Sequence, residues 1–177
     1  MPDLMHALQG NDLGFLRMVA NAWGFELSQP DSYTALPALV NNLSNKTLAH
    51  EIVEALPTEA RTALEALYEN QGMLPWQVFV RRFGEVRVMG AGRRDRERPD
   101  LSPISPAEIL WYRALICKAF FNAPPEPQEY AYIPDDLLEI LQPVVNVSNR
   151  PLGRPASPVE SAFCITSDSR ILDDACT

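Results

Sequence analysis

The sequence predicts a mainly α protein of the α+β class, with its helices first and one small β-hairpin late. Three observations lead there. Apolar residues recur at helical spacing from Leu13 to about Leu115. Short aromatic, β-favouring runs occur only after that point, around Phe120 and Tyr130. The 177 residues (19.8 kDa) are 46% hydrophobic and 21% charged, which supports a packed core rather than a disordered or fibrous chain.

The elements follow in chain order. Asn11-Asp12 offers a cap, and Leu13, Leu16, Val19, Ala20 and Trp23 share one helical face that Gly24 closes. The sequence ahead of it, including His6, reads as a frayed terminus. Leu36, Leu39, Val40 and Leu43 place a second helix over about Ser32 to Leu43, where Pro37 implies a late start or a kink. Asn45 caps a third, with Leu48, Ile52, Val53 and Leu56 on its buried side. Helices this short are marginal alone and need a shared surface.

Pro57-Thr58-Glu59 then opens a helix carrying Ala60, Ala63, Leu64, Leu67 and Tyr68, stopped at Asn70-Gln71-Gly72. After a four-residue break, Trp76, Phe79, Val80 and Phe83 supply another face, closed by Gly84, and a basic loop follows. Ser105-Pro106-Ala107-Glu108 combines a serine cap, proline at the first position and glutamate three residues after the cap. Ala107, Leu110, Trp111, Ala114 and Leu115 line the face that this helix buries. The runs Ala119-Phe120-Phe121 and Tyr130-Ala131-Tyr132-Ile133 flank Asn122 to Pro127, a hairpin with a proline-rich tip. Pro134-Asp135-Asp136 opens a last short helix, Leu137 to Leu141. Helix, helix, loop, helix, hairpin is the order of a winged helix.

The predicted divisions are a short-helix bundle (1–56), a winged-helix domain (57–142) and a proline-rich extended tail (143–177) in which a further helix begins. Eleven of the 16 prolines lie at or after Pro99, and four fall between Pro143 and Pro158.

Several function classes are excluded on composition and spacing. No stretch approaches the roughly 20 apolar residues of a membrane span. The N-terminus has no basic segment or long apolar core, so no secretory signal is expected. Cys117, Cys164 and Cys176 form an odd set without CxxC spacing, which fits reduced thiols and a cytoplasmic location. No nucleophile elbow, HExxH or P-loop is present. Gly90-Ala91-Gly92 lacks the third glycine and preceding strand of a dinucleotide fingerprint. His50 lacks metal-ligand companions and reads as a satisfied histidine. The adjacent pairs Asp135-Asp136 and Asp173-Asp174 point in different directions on a helix and read as caps. No enzyme activity, metal or cofactor is expected.

Charge is the informative feature. The chain carries −8, yet residues 81–98 carry +4 and the remainder −12. Arg81, Arg82, Arg87, Arg93, Arg94, Arg96 and Arg98 form this island, and the guanidinium fork suits phosphate oxygens. In a winged helix the helix from Ser105 would face a major groove, with Tyr112 and Arg113 nearest the bases and Lys118 near its end. Double-stranded DNA is the partner this implies. Against it stand an acidic hairpin tip, Pro-Pro-Glu-Pro-Gln-Glu, and the net negative charge, which slows encounter with a polyanion. The alternative is a protein partner or homodimer, with the same scaffold used for protein contact and the arginines paired to Asp95, Glu97 and the acidic body. Trp76, Trp111 and Phe120-Phe121 read as core.

The segments LPWQVFVRRFGEVRVMGAGRRDRERP (74–99), SPAEILWYRALI (105–116) and YAYIPDDLL (130–138) resemble bacterial helicase-associated proteins similar to the N-terminal region of XPB-type helicases. LPTEARTALEALYENQG resembles the start of such chains, so the likeness covers most of residues 1–142. It implies a winged helix behind a small helical domain and a DNA-linked, helicase-accessory role without motor motifs. It also implies a chain that is a truncated relative or an N-terminal piece.

Overall fold

In a computed structural model that describes residues 1–122 and 127–145, short polar side chains hold the first helix starts. Asp3 caps α1 (Leu4–Leu8) by accepting from the backbone N–H of His6 at 2.8 Å. This helix replaces the frayed terminus that the sequence predicts. Leu4 and Leu8 are buried, the N-terminal ammonium meets Asp135 Oδ2 at 2.6 Å, and Leu4 N–H donates to Asp136 Oδ1 at 3.1 Å. Asp12 accepts from Phe15 N–H at 3.0 Å to start α2 (Leu13–Ala22). Asp31 accepts from Thr34 N–H at 2.8 Å to start α3 (Ser32–Leu43), which runs through Pro37. Asn45 caps α4 (Lys46–Glu54).

α5 (Thr58–Glu69) leads through Gln71 and Gly72, both at positive φ, into β1 (Met73–Pro75), a strand that the sequence predicts only as a break. α6 (Trp76–Phe83) follows at once and stops at Gly84, whose φ is 87°. A Cβ there would stand 2.5 Å from Ser105 Cβ, so only glycine lets the chain pass the start of α8 so closely. The basic loop contains a further helix, α7 (Ala91–Glu97). α8 (Pro106–Trp111) is shorter than its apolar spacing predicts, because the chain turns at Ala114 (φ 52°), and Leu115 is buried beyond the helix. β2 (Cys117–Phe121) and β3 (Gln128–Tyr132) form the hairpin. α9 (Asp135–Val145) starts earlier and runs later than predicted, so the first residues of the expected tether are helical. The rest of the 143–177 tail and the hairpin tip at 123–126 lie outside the described residues.

The protein is thus mostly helical with one antiparallel sheet of order β1-β3-β2. Met73 to Pro75 pair with Tyr132 to Tyr130, and Cys117 to Phe121 pair with Tyr132 to Gln128. β3 is therefore central, and β2 forms one edge.

A single core is continuous across residue 56, the predicted boundary. Leu16, Val19, Leu39 and Val53 join Leu64, Leu67, Phe79, Leu110, Leu115, Ile133, Leu137 and Leu141 in one buried cluster. α9 packs on α1, α4 and α5, which sews the two halves together. Each fully buried Leu or Phe contributes about 1.5–3 kcal/mol of transfer free energy. Met1–Val147 form one compact unit. No helix among the described residues is long and apolar enough to cross a membrane.

Candidate functional site

The site expected from sequence centres on α8, and its cap forms as predicted. Ser105 Oγ accepts from Glu108 N–H at 3.0 Å and donates to Glu85 O at 2.7 Å. Pro106 occupies the first turn. Glu108 points inward and is fully buried. Its Oε1 accepts from Arg87 N–H (3.1 Å) and Arg87 Nε (2.9 Å), and its Oε2 accepts from Arg87 Nη2 (2.8 Å) and Ile104 N–H (2.9 Å). Arg87 Nη2 also donates to Ser102 O at 2.9 Å. One carboxylate therefore ties α8 to the extended chain at 85–89 and to the turn before α8. The Glu108 carboxylate raises the pKa of Arg87 further.

Half of the remaining island, Arg93, Arg94 and Arg98, is also paired within the protein. Arg93 Nε donates to Glu97 at 2.6 Å, one helical turn on. Arg98 donates through Nε and Nη2 to Asp100 at 3.0 and 2.6 Å. Arg94 is buried, donates to both oxygens of Asp12 at 2.8 and 2.6 Å, and also meets Asp95 at 2.9 Å. Its guanidinium lies over the Phe15 ring, 5.8 Å from the centroid, so α7 is clamped onto α2. Lys118 Nζ folds back to Glu129 at 3.0 Å and over Trp76 at 5.3 Å. Arg81, Arg82 and Arg96 are exposed and have no carboxylate partner among the described residues; Arg82 lies over Phe83 at 5.1 Å.

The clamp on α2 has a pH signature. The hydrogen bonds from Arg94 hold the Asp12 carboxyl down at about 2, below its ordinary 3.8. A depressed carboxyl stabilises the fold above its unfolded-state pKa and loses that contribution as pH falls through the folded value. Acid unfolding is expected to include an Asp12-dependent loss of stability between about pH 4 and pH 2. Urea titrations across that window check it, since Asp12→Asn should flatten this part of the profile. Asp12 is half exposed, so the effect is modest.

Tyr112 and Arg113, expected nearest the bases, are covered instead. Tyr112 is 3% exposed and packs against Phe15 with ring centroids 5.9 Å apart. Trp23 Nε1 at the end of α2 donates to Arg113 O at 2.8 Å. The Arg113 side chain turns back, Nη1 donating to Ile109 O at 3.1 Å, and desolvation lowers its pKa. The structure thus scatters the ten expected contacts: Arg81 and Arg82 sit on α6, Arg87 on the extended chain after it, Arg93, Arg94 and Arg96 on α7 with Arg98 at its end, Tyr112 and Arg113 in the turn after α8, and Lys118 on β2.

Sequence reasoning missed a cleft. Trp76 and Trp111, predicted as core, are half-buried and stand edge to face at 5.9 Å. With Val80, Val86, Tyr112 and Lys118 they line an open cleft of about 470 Å³. Their helical phase resembles that of core residues, so spacing alone carried no signal of this wall. His50 Nε2 donates to Ile140 O at 3.0 Å, as expected of a satisfied histidine. Cys117 is a buried thiol whose pKa desolvation pushes up to about 12, which suppresses thiolate chemistry. No group of three or more potential metal ligands gathers among the described residues.

No family model, curated protein or solved structure matches this chain.

Proposed function

We propose that residues 57–132 form a winged helix that serves as a protein-binding scaffold and does not read a DNA duplex. The order α5, β1, α6, α8, β2, β3 with sheet order β1-β3-β2 supports the winged-helix assignment, α7 being an insertion before the third helix. The observation that carries the functional half is the cover over α8. A groove-reading helix must offer an outward face to a groove about 12 Å wide. Here α8 has six residues, its acid faces inward, and Phe15 and Trp23 of α2 and its C-cap occupy the surface around Tyr112 and Arg113. The paired arginines add to this, because a cation already satisfied by a carboxylate gives up that bond before it gains a phosphate. An accessory role to a helicase would then run through protein contact.

Fluorescence anisotropy with mixed-sequence duplex and single-stranded DNA tests this, repeated from about 50 to 200 mM salt. No saturable binding is expected. Micromolar binding that the exposed triple variant Arg81→Glu, Arg82→Glu, Arg96→Glu abolishes would overturn the proposal. A log–log salt slope steeper than about −3 would show that more than the three free arginines had been recruited.

A further inference from the structure

We propose that the protein forms a two-fold dimer by pairing β2 with β2 of a second copy, antiparallel and centred on Ala119. This rests on the protein-binding reading and names the partner. β2 is an edge strand, with β3 its only sheet neighbour among the described residues. Its sequence, Cys-Lys-Ala-Phe-Phe, has no proline, no acid and no glycine to blunt pairing. The one charge that would guard the edge, Lys118, is drawn back onto Glu129 and Trp76. Phe120, two residues on and on the same face of the sheet, is 65% exposed although aromatic.

Symmetry selects the register. A two-fold axis normal to the sheet keeps each residue on its own face, so opposed positions must share parity. Centring on Lys118 sets lysine against lysine, which like-charge repulsion disfavours. Centring on Phe120 leaves Lys118 against Asn122, outside the strand. Centring on Ala119 pairs all five strand residues: Cys117 with the partner's Phe121, and Lys118 with the partner's Phe120. Each exposed phenylalanine then lies beside a lysine that already lines the Trp76–Trp111 cleft, and covers the rim of that cleft. The strand thus carries both the anchor and its receiver, as an isologous interface requires. Lysine beside phenylalanine adds a cation–π contact.

Two measurements on the full chain test the pairing. Sedimentation velocity from micromolar to sub-millimolar protein is expected to show a dimer, twice 19.8 kDa, that Phe120→Glu converts to monomer with an unchanged far-UV circular-dichroism spectrum. In a Cys164→Ser, Cys176→Ser background, Ala119→Cys is expected to cross-link under mild oxidation, because directly opposed Cβ atoms lie about 4.5–5.5 Å apart. A monomer at every concentration overturns the inference, as does a dimer that ignores Phe120→Glu and fails to cross-link at 119. Either result leaves the protein-binding reading standing if DNA is still not bound. DNA binding by a β2-paired dimer overturns that reading and not the dimer.

Discussion

Glu108→Gln is expected to destabilise the protein by about 3 kcal/mol, the low end of the range for breaking a buried ion pair, because Glu108 is fully buried while the Arg87 side chain stays 26% exposed. The substitution is nearly isosteric, so the loss would not come from a cavity. It comes from what surrounds the carboxyl: two backbone N–H groups, from Arg87 and Ile104, and two guanidinium nitrogens all donate to its oxygens. Glutamine offers one oxygen and one NH₂ group, so a donor must face donors, and the guanidinium loses its counter-charge. Urea unfolding followed by far-UV circular dichroism reads the change directly, and Tm should fall by roughly 10 °C for a unit of this size. A loss below about 1 kcal/mol would mean that the carboxylate does not hold the 85–89 segment and the turn before α8 in place. Replacing both partners, Glu108→Leu with Arg87→Met, is expected to recover much of the loss, since a well-packed apolar pair often matches a buried ion pair.

Glu108 also shows why part of the site escaped the sequence. The cap signature at Ser105-Pro106-Glu108 was legible because it is local: serine, proline and glutamate act within one turn. The cap held, but the glutamate side chain went to Arg87, 21 residues away, a partner no local pattern names. The same contrast runs through the chain. The caps at Asp12 and Asn45, the stop at Gly84, and the aromatic, β-favouring runs that form β2 and β3 were all readable, since each depends on neighbours in sequence. α1, β1 and α7 were not. α1 is ordered by Asp135 and Asp136 from the far end of the chain, β1 by pairing with β3, and α7 by the Arg94–Asp12 clamp. The arginine island was visible as charge density. Pairing with Asp95 and Glu97 was one of the two readings the sequence left open, and Asp100 lies two residues from Arg98, whereas Asp12 and Glu108 reach the island only through the fold.

Trp23→Ala is expected to cost about 3–5 kcal/mol, and Trp23→Phe about 1–3 kcal/mol. The two variants separate what the indole does. Its ring is buried at the end of α2, so alanine leaves a large void among core residues that relax only in part. Phenylalanine keeps most of that volume but removes the Nε1 donor, leaving Arg113 O without its bond beside a residue already at positive φ, Ala114. Amide hydrogen exchange over residues 112–115 should therefore quicken in Trp23→Phe more than over α5, whose buried face does not touch this bond. Near-wild-type stability for Trp23→Ala would mean that α2 is not anchored to the turn after α8. Tyr112 and Arg113 would then be open to a ligand, and the case against duplex readout would lose its main support. A large loss in Trp23→Ala, with quickened exchange confined to the turn in Trp23→Phe, makes the cover an integral part of the fold. An integral cover leaves the sheet edge and the tryptophan cleft, rather than α8, as the surfaces that the proposed scaffold offers to a partner.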